Sequence, residues 1–254
     1  MRILLSNDDG INAHGLKVLE KIAHALSDDV WIVAPELDQS GSSHSLTLRD
    51  PLRIREVSPK KYAVSGTPTD CVLVALSHIT KDKKPDLILS GVNYGANIAE
   101  DVTYSGTIAA AIEGTLLGIP SMALSINIQY DHPAKWATAE HFGPEVIKKL
   151  LTHKLEKNTL LNVNFPDFIV PSVKGVKITT QGHRSGGDNI LECKDPRGKS
   201  YFWIGAGLHR YASEKQVFEA GTDLEAVHSG YISITPLSLN LTHEKTLNHL
   251  KDIF

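Results

Sequence analysis

Two short apolar runs bracket a segment of helical periodicity at the start of the chain, and this arrangement constrains the fold more than any other feature. RILLS, residues 2–6, is apolar and ends in turn chemistry. In GLKVLEKIAHALS, Leu16, Leu19, Ile22, Ala23 and Leu26 recur on one helical face. VWIVAP, residues 30–35, is a second apolar run, closed by a proline. Runs of this length without alternation mark strands buried on both faces of a parallel sheet. Strand, helix and strand make a βαβ unit, whose crossover is right-handed.

The rest of the chain continues the theme. Residues 46–64 alternate apolar and polar side chains, which predicts a hairpin excursion. TPTDCVLVALSHI opens a helix with Thr67 as N-cap, Pro68 at the first position and Asp70 in the first turn. DLILS, 86–90, is another buried strand, followed by GVNYGAN. Residues 105–118 form a helix of small side chains, with Gly118 near its end and Pro120 beyond. SMALSI, LLNVNFP and VKITTQG supply strands, and 134–151 a helix. After about residue 182 the texture changes. GHRSGGDN and KDPRGKS read as loops, YFWIG as a short aromatic strand, GYISITPL as an alternating strand and 242–253 as a terminal helix. The expected fold is α/β: a doubly wound, mostly parallel core over 1–181 and a smaller β-rich extension with a C-terminal helix over 182–254.

With 254 residues and a formal charge of −3, the chain has no electrostatic footprint for duplex nucleic acid. Cys71 and Cys193 form no CxxC pair, so neither a disulfide framework nor a zinc ribbon is indicated. No apolar stretch is long enough to span a bilayer, and the N-terminus opens on a strand in place of a signal-peptide apolar region. A cytoplasmic location is expected, with no membrane partner.

Ligands of open parallel sheets bind beyond the carboxyl ends of the strands. Three loops leave such ends with unusual polar content. The first holds Asn7, Asp8 and Asp9; the second Asp38, Ser40, Ser42, Ser43 and His44; the third Asn93 and Asn97. Carboxylate, hydroxyl and amide oxygens are hard ligands that suit Mg²⁺ or Mn²⁺. A divalent ion also offsets the repulsion between adjacent carboxylates. One aspartate capping the following helix, with the other solvated, is the plainer account of a single pair. Three polar loops together favour the metal. In YSGTIAAA, Ser105 or Thr107 caps a helix whose free N–H groups suit phosphate, and Gly106 lets a ligand approach the backbone. Plain capping and tight packing at Ala109, Ala110 and Ala111 are the competing accounts.

Other motifs fail. GINAHGLK departs from a phosphate-binding P-loop because Leu16 separates the glycine from the lysine, and neither GxGxxG nor HExxH is present. Among scattered histidines His44 stands out by its loop, with His228 and Tyr231 weaker. Asp28 and Asp29 precede a strand and read as turn residues. Tyr94 and Tyr104 flank the motif loops and suit either a base-stacking or a packing role.

MRILLSNDDG, VAPELDQSGSSHSLT, GTPTDCV, SGVNYGANIAEDVTYSGTIAAAIEG, LNVNFP, DPRG and GYISITPL together, in order through nearly the whole chain, resemble the SurE survival-protein family. The resemblance implies a Rossmann-like three-layer α/β/α core with a β-rich C-terminal extension exchanged between subunits of a dimer or tetramer. It implies a metal-dependent 5′/3′-nucleotidase acting on nucleoside monophosphates, and in some members on short polyphosphate. By motif, Asp8, Asp9, Ser40 and Asn93 are the implied ligands of one divalent ion. Asn97, Ser105, Gly106 and Thr107 are the implied phosphate-binding residues, with Asn7 and His44 nearby candidates. Asp8 or Asp9 serves as ligand or general base, roles the sequence leaves open, as it does a phosphoaspartate at Asp8. Ala99 stands where the family often has glycine, followed by Glu100. The rival readings are a sugar-nucleotide transferase and a nucleotide-binding regulatory module without turnover.

Overall fold

The computed structural model describes residues 1–128, 132–184, 190–204 and 218–253. The opening βαβ unit is formed by β1 (Arg2–Ser6), α1 (His14–His24) and β2 (Asp29–Pro35). β1 and β2 run parallel, with Ile3 opposite Val30, and every β1 residue is buried. Burial on both faces is why the run carries no alternation. The hairpin β3 (Ile54–Ser58) and β4 (Lys61–Val64) is antiparallel, and β4 continues the sheet parallel to β2. It is shorter than the alternating pattern predicts: residues 46–53 form no strand. Pro51 within them has no amide to offer a ladder.

α2 (Pro68–Val74) is capped reciprocally: Thr67 Oγ1 accepts from the Asp70 amide at 3.2 Å, and the Asp70 carboxylate accepts from the Thr67 amide at 2.9 Å. A π-helical turn over Ala75–Ile79 extends it. Then come β5 (Leu87–Tyr94), a 3-10 turn at Ala99–Thr103, α3 (Gly106–Leu116), β6 (Ser121–Ile126), α4 (Trp136–Leu150), β7 (Thr159–Phe165) and β8 (Val176–Ile178). β9 (Ile190–Lys194), β10 (Ser200–Ile204), α5 (Asp223–His228), β11 (Ile232–Ser238) and α6 (Glu244–Lys251) follow.

The main sheet has nine strands in the order β3-β4-β2-β1-β5-β6-β7-β11-β8, parallel except where β3 meets β4 and β11 meets β7. Helices cover both faces. α1 and α4 share a core with Ile3, Leu5, Leu87 and Leu89, while α2 and Ala110 of α3 pack on Leu4 and Ile88. This is the expected three-layer α/β fold. β9 and β10 form a separate antiparallel hairpin. β11 returns to the main sheet, so the segment after residue 182 supplies a hairpin and a core strand. Residues 185–189 of the predicted loop GHRSGGDN lie outside the described residues. No helix among those described is long and apolar enough to cross a membrane.

The topology fixes where a ligand fits. From β1 the chain passes through α1 to β2 on one side, and β5 lies on the other side of β1. The carboxyl ends of β1 and β5 therefore flank a switch point. β5 is irregular there: Ser90 pairs with Ala123, but Asn93 pairs with Ser125, one residue late. Leu87, Leu89 and Val92 all join the α1/α4 core as a result. Alternation then places Tyr94 with Val92 and Asn93 on the opposite face.

Candidate active site

Asp8 follows β1 and is buried at the switch point. Its Oδ1 accepts a 2.5 Å hydrogen bond from Thr107 Oγ1, in the first turn of α3. Its carbonyl accepts from the Gln39 amide at 2.8 Å. Gly106 is held close against it: a Cβ there would lie 2.7 Å from Asp8 Cβ and 3.1 Å from Pro68 Cγ. Glycine is thus required by space, and the carboxylate sits directly on the backbone that opens α3. Ser105 caps that helix, accepting from the Ile108 amide at 3.1 Å.

Asp9 is less enclosed. Its Oδ2 accepts from the Tyr94 amide at 3.3 Å, which ties the end of β1 to the end of β5. Asn7 is fully buried and closes the turn, its side-chain amide donating to the Gly10 carbonyl at 2.9 Å. Its Oδ1 is buried and meets no donor.

The two carboxylates repel and are poorly solvated. Burial raises the affinity of Asp8 for a proton, the Thr107 hydroxyl opposes this, and the charge of Asp38 adds to it. Asp9 is pushed up to about 7, first by burial, then by Asp8, with Asp38 adding and the Tyr94 amide opposing. Among the described residues no three His, Cys, Asp or Glu side chains cluster as a metal site. Any ion held here takes its further ligands from hydroxyl, amide and water oxygens.

The second loop is pinned to the first by the Gln39–Asp8 bond. Next to it, the Ser40 amide donates to Asp38 Oδ1 at 2.7 Å, and the residue is exposed. His44 engages a different partner: its Nε2 lies 2.9 Å from Glu113 Oε2, further along α3 than Thr107. The third loop is the most heavily braced. Asn93 Nδ2 donates to the Gly95 carbonyl at 2.8 Å. Asn97 Nδ2 donates to Ser125 Oγ at 2.8 Å, its amide donates to Asn164 Oδ1 at 2.9 Å, and its carbonyl accepts from Asn162 Nδ2 at 2.7 Å. Ala99, at φ 51°, donates its amide to Asp223 Oδ2 at 3.0 Å and accepts from Gln181 Nε2 at 2.8 Å.

Asn162, Asn164, Gln181 and Asp223 were not singled out from the sequence. A signal for the first two was present: asparagines two apart within an apolar strand share one buried face and must be hydrogen-bonded there.

Fold and site define an α/β protein with an acidic, oxygen-lined crevice at a switch point, one wall of which is a helix N-terminus. The family model described as "Survival protein SurE" matches residues 3–188. A Paramagnetospirillum magneticum protein named 5′-nucleotidase SurE is 57% identical over 254 residues, covering 100% of this chain and 96% of that protein. A Parvibaculum lavamentivorans protein of the same name is 54% identical over 255 residues, covering 99% and 90%. The crystal structure of the SurE protein from Aquifex aeolicus superposes with a TM-score of 0.84 at 39% identity, covering 100% of this chain and 99% of that one. The chain belongs to the SurE family.

Proposed function

We propose that this chain is a divalent-metal-dependent 5′-nucleotidase that hydrolyses nucleoside monophosphates to nucleoside and phosphate. The seating of Asp8 carries the reading: a buried carboxylate is held by Thr107 and Gly106 at the N-terminus of α3, beside a second carboxylate. The names of the relatives point the same way.

The residues fit a hard cation. Burial raises the proton affinity of both adjacent carboxylates, the charge of Asp8 raises that of Asp9 further, and Asn7 Oδ1 is buried without a donor. Asp8, Asp9, Ser40 and Asn93 would hold one Mg²⁺ or Mn²⁺ ion. When bound, such an ion supplies Lewis acidity toward a phosphoryl oxygen and toward water. The first amides of α3 have no partner within the helix and face the phosphate at the positive end of the dipole, Gly106 foremost because the Thr107 amide also faces the Asp8 carboxylate. Ser105 caps the helix that carries those amides, and Asn97 adds a contact to the phosphate from the third loop. Asp8 or Asp9 orients the attacking water and accepts its proton. The water oxygen bonds to phosphorus, the ester P–O bond breaks, and the departing oxygen takes up the proton taken from the water and leaves as the nucleoside hydroxyl.

In the same reading residues 1–181 carry the catalytic residues, and 182–254, which also lend β11 to the main sheet, hold the extension through which copies associate as a dimer or tetramer. The exposed Ile190, Leu191, Phe202, Trp203 and Ile204 of the β9–β10 hairpin support this, because such an apolar patch marks an interaction surface. The test of function is phosphate release from nucleoside 5′- and 3′-monophosphates, with metal-stripped protein, Mg²⁺ or Mn²⁺ added back, and Asp8→Asn alongside. Release that needs the ion and collapses in Asp8→Asn is the expected result. Phosphoryl transfer to an acceptor would favour the transferase, and nucleotide binding without release the regulatory module.

A further inference from the structure

We propose that His14, Tyr94 and Trp136 form a stacking shelf for the nucleobase, an inference that rests on the nucleotidase reading. His14 opens α1, Tyr94 ends β5 and Trp136 opens α4, so all three stand at the carboxyl end of the sheet. The His14 and Trp136 ring centroids lie 5.3 Å apart with planes at 47°, and those of Tyr94 and Trp136 lie 6.0 Å apart at 33°. Among the described residues the cluster is not closed over. Tyr94 is 49% exposed, His14 is exposed and Trp136 half-buried.

Its position gives it a use. The backbone amide of Tyr94 is the group that donates to Asp9. An open aromatic surface therefore begins at a residue bonded to the carboxylate pair. The irregularity in β5 sends Asn93 to one face and Tyr94 to the other, so consecutive residues serve different parts of one ligand. Gly15 fixes the shelf: a Cβ there would lie 1.9 Å from the Val92 carbonyl oxygen and 3.2 Å from Trp136 Cη2. α1 can thus press onto β5 and bring His14 to Trp136. A nucleoside whose phosphate lies at the carboxylates and turns toward the α1/α4 face rests against Tyr94.

A second tryptophan–tyrosine pair, Trp31 and Tyr62, shows what a purely structural cluster looks like here. Trp31 and Tyr62 stack at 7°, but Arg2 and Lys60 cover the indole, and its Nε1 donates to Asp29. The shelf near Asp9 has no such cover among the described contacts.

Base stacking on an aromatic face is tolerant of base identity and corresponds to about 5- to 150-fold in affinity when the ring is removed. The experiment compares AMP with glycerol 2-phosphate, an ester without a ring, in wild type, Tyr94→Ala, Tyr94→Phe and His14→Ala. In Tyr94→Ala, KM for AMP is expected to rise about fivefold or more with kcat little changed, and the ratio of kcat/KM for AMP to that for glycerol 2-phosphate to fall by the same factor. Tyr94→Phe should keep the wild-type ratio. His14→Ala, at an exposed residue, should move the ratio in the same direction and carries the test if Tyr94→Ala does not fold. An unchanged ratio in folded variants would overturn the shelf, as would an equal loss on both esters. A wild type that releases phosphate from glycerol 2-phosphate but not from AMP, or from neither, would instead refute the nucleotidase reading and the shelf with it.

Discussion

Thr107 Oγ1 donates to Asp8 Oδ1 across 99 positions of sequence, joining the end of the first strand to the first turn of α3. Both residues are buried, so neither can exchange this partner for water. Thr107→Val removes the donor at nearly constant volume. An unmet buried acceptor costs about 1–3 kcal/mol, and the urea midpoint of the metal-free protein should fall accordingly. Thr107→Ser keeps the hydroxyl and should recover most of the loss. A valine variant as stable as wild type would mean that the bond contributes nothing.

Gly106→Ala would drive a methyl group to 2.7 Å from Asp8 Cβ. The carboxylate must move, because the helix backbone and Pro68 confine the other side. Overpacking of this kind costs about 1–3 kcal/mol. A displacement of catalytic groups approaching 1 Å costs about 100-fold in rate. Steady-state kinetics beside a thermal melt should therefore show activity suffering far more than stability. Proportionate losses would contradict the placement of Asp8 at the chemistry.

The carboxylate pair gives the metal-free protein an unusual pH dependence. Asp9 is pushed up from 3.8 to about 7, so between those values the folded state keeps a proton that the unfolded chain has released. Stability from this group is fully present below the lower value and is lost as pH rises through the higher one. Asp8, raised by burial, acts in the same direction. Denaturant midpoints of chelated protein should be lower at pH 7.5 than at pH 5.5. Asp9→Asn should remove much of that slope, and excess Mg²⁺ or Mn²⁺ should raise the midpoint most at the higher pH. A midpoint that rises with pH in chelator would contradict the assignment.

Asp223 braces the third loop from a distance. Its Oδ2 accepts from the Ala99 amide at 3.0 Å, and its Oδ1 from the Gly182 and Leu224 amides at 2.8 Å each. Asp223→Ala leaves the buried Ala99 and Leu224 amides and the half-buried Gly182 amide unmet, at about 1–3 kcal/mol for each buried one that stays unsatisfied. Hydrogen exchange should show faster exchange over residues 97–104 with the β1–β2 region unchanged. Protection equal to wild type over 97–104 would contradict the bracing role.

The parts of this structure legible in the sequence are those that local chemistry decides. Unalternated apolar runs announced β1 and β2, and Thr67 with Asp70 announced the cap of α2, because burial and capping act within a few residues. The polar strand-end loops are legible one by one, and the Gln39–Asp8 and Tyr94–Asp9 hydrogen bonds that join them belong to the fold. What stayed hidden depends on partners distant in the chain. Ser105 and Thr107 were equal candidates for capping α3, and only the fold assigns the cap to Ser105 and the Thr107 hydroxyl to Asp8. His44 stands out by its loop, and only the fold sets its ring against Glu113 of α3. The locking of Asn97 by Asn162 and Asn164 depends on which strands become neighbours. The one-residue irregularity in β5, which decides the faces of Asn93 and Tyr94, leaves no mark in a pattern read two residues at a time.

The most direct test of the central claim is phosphate release from a nucleoside 5′-monophosphate by metal-stripped protein, before and after Mg²⁺ or Mn²⁺ is restored, in wild type and Asp8→Asn. The account predicts release only with the ion, and a loss of at least about 100-fold in a folded Asp8→Asn. Undiminished release in the presence of chelator, or from Asp8→Asn, would contradict it.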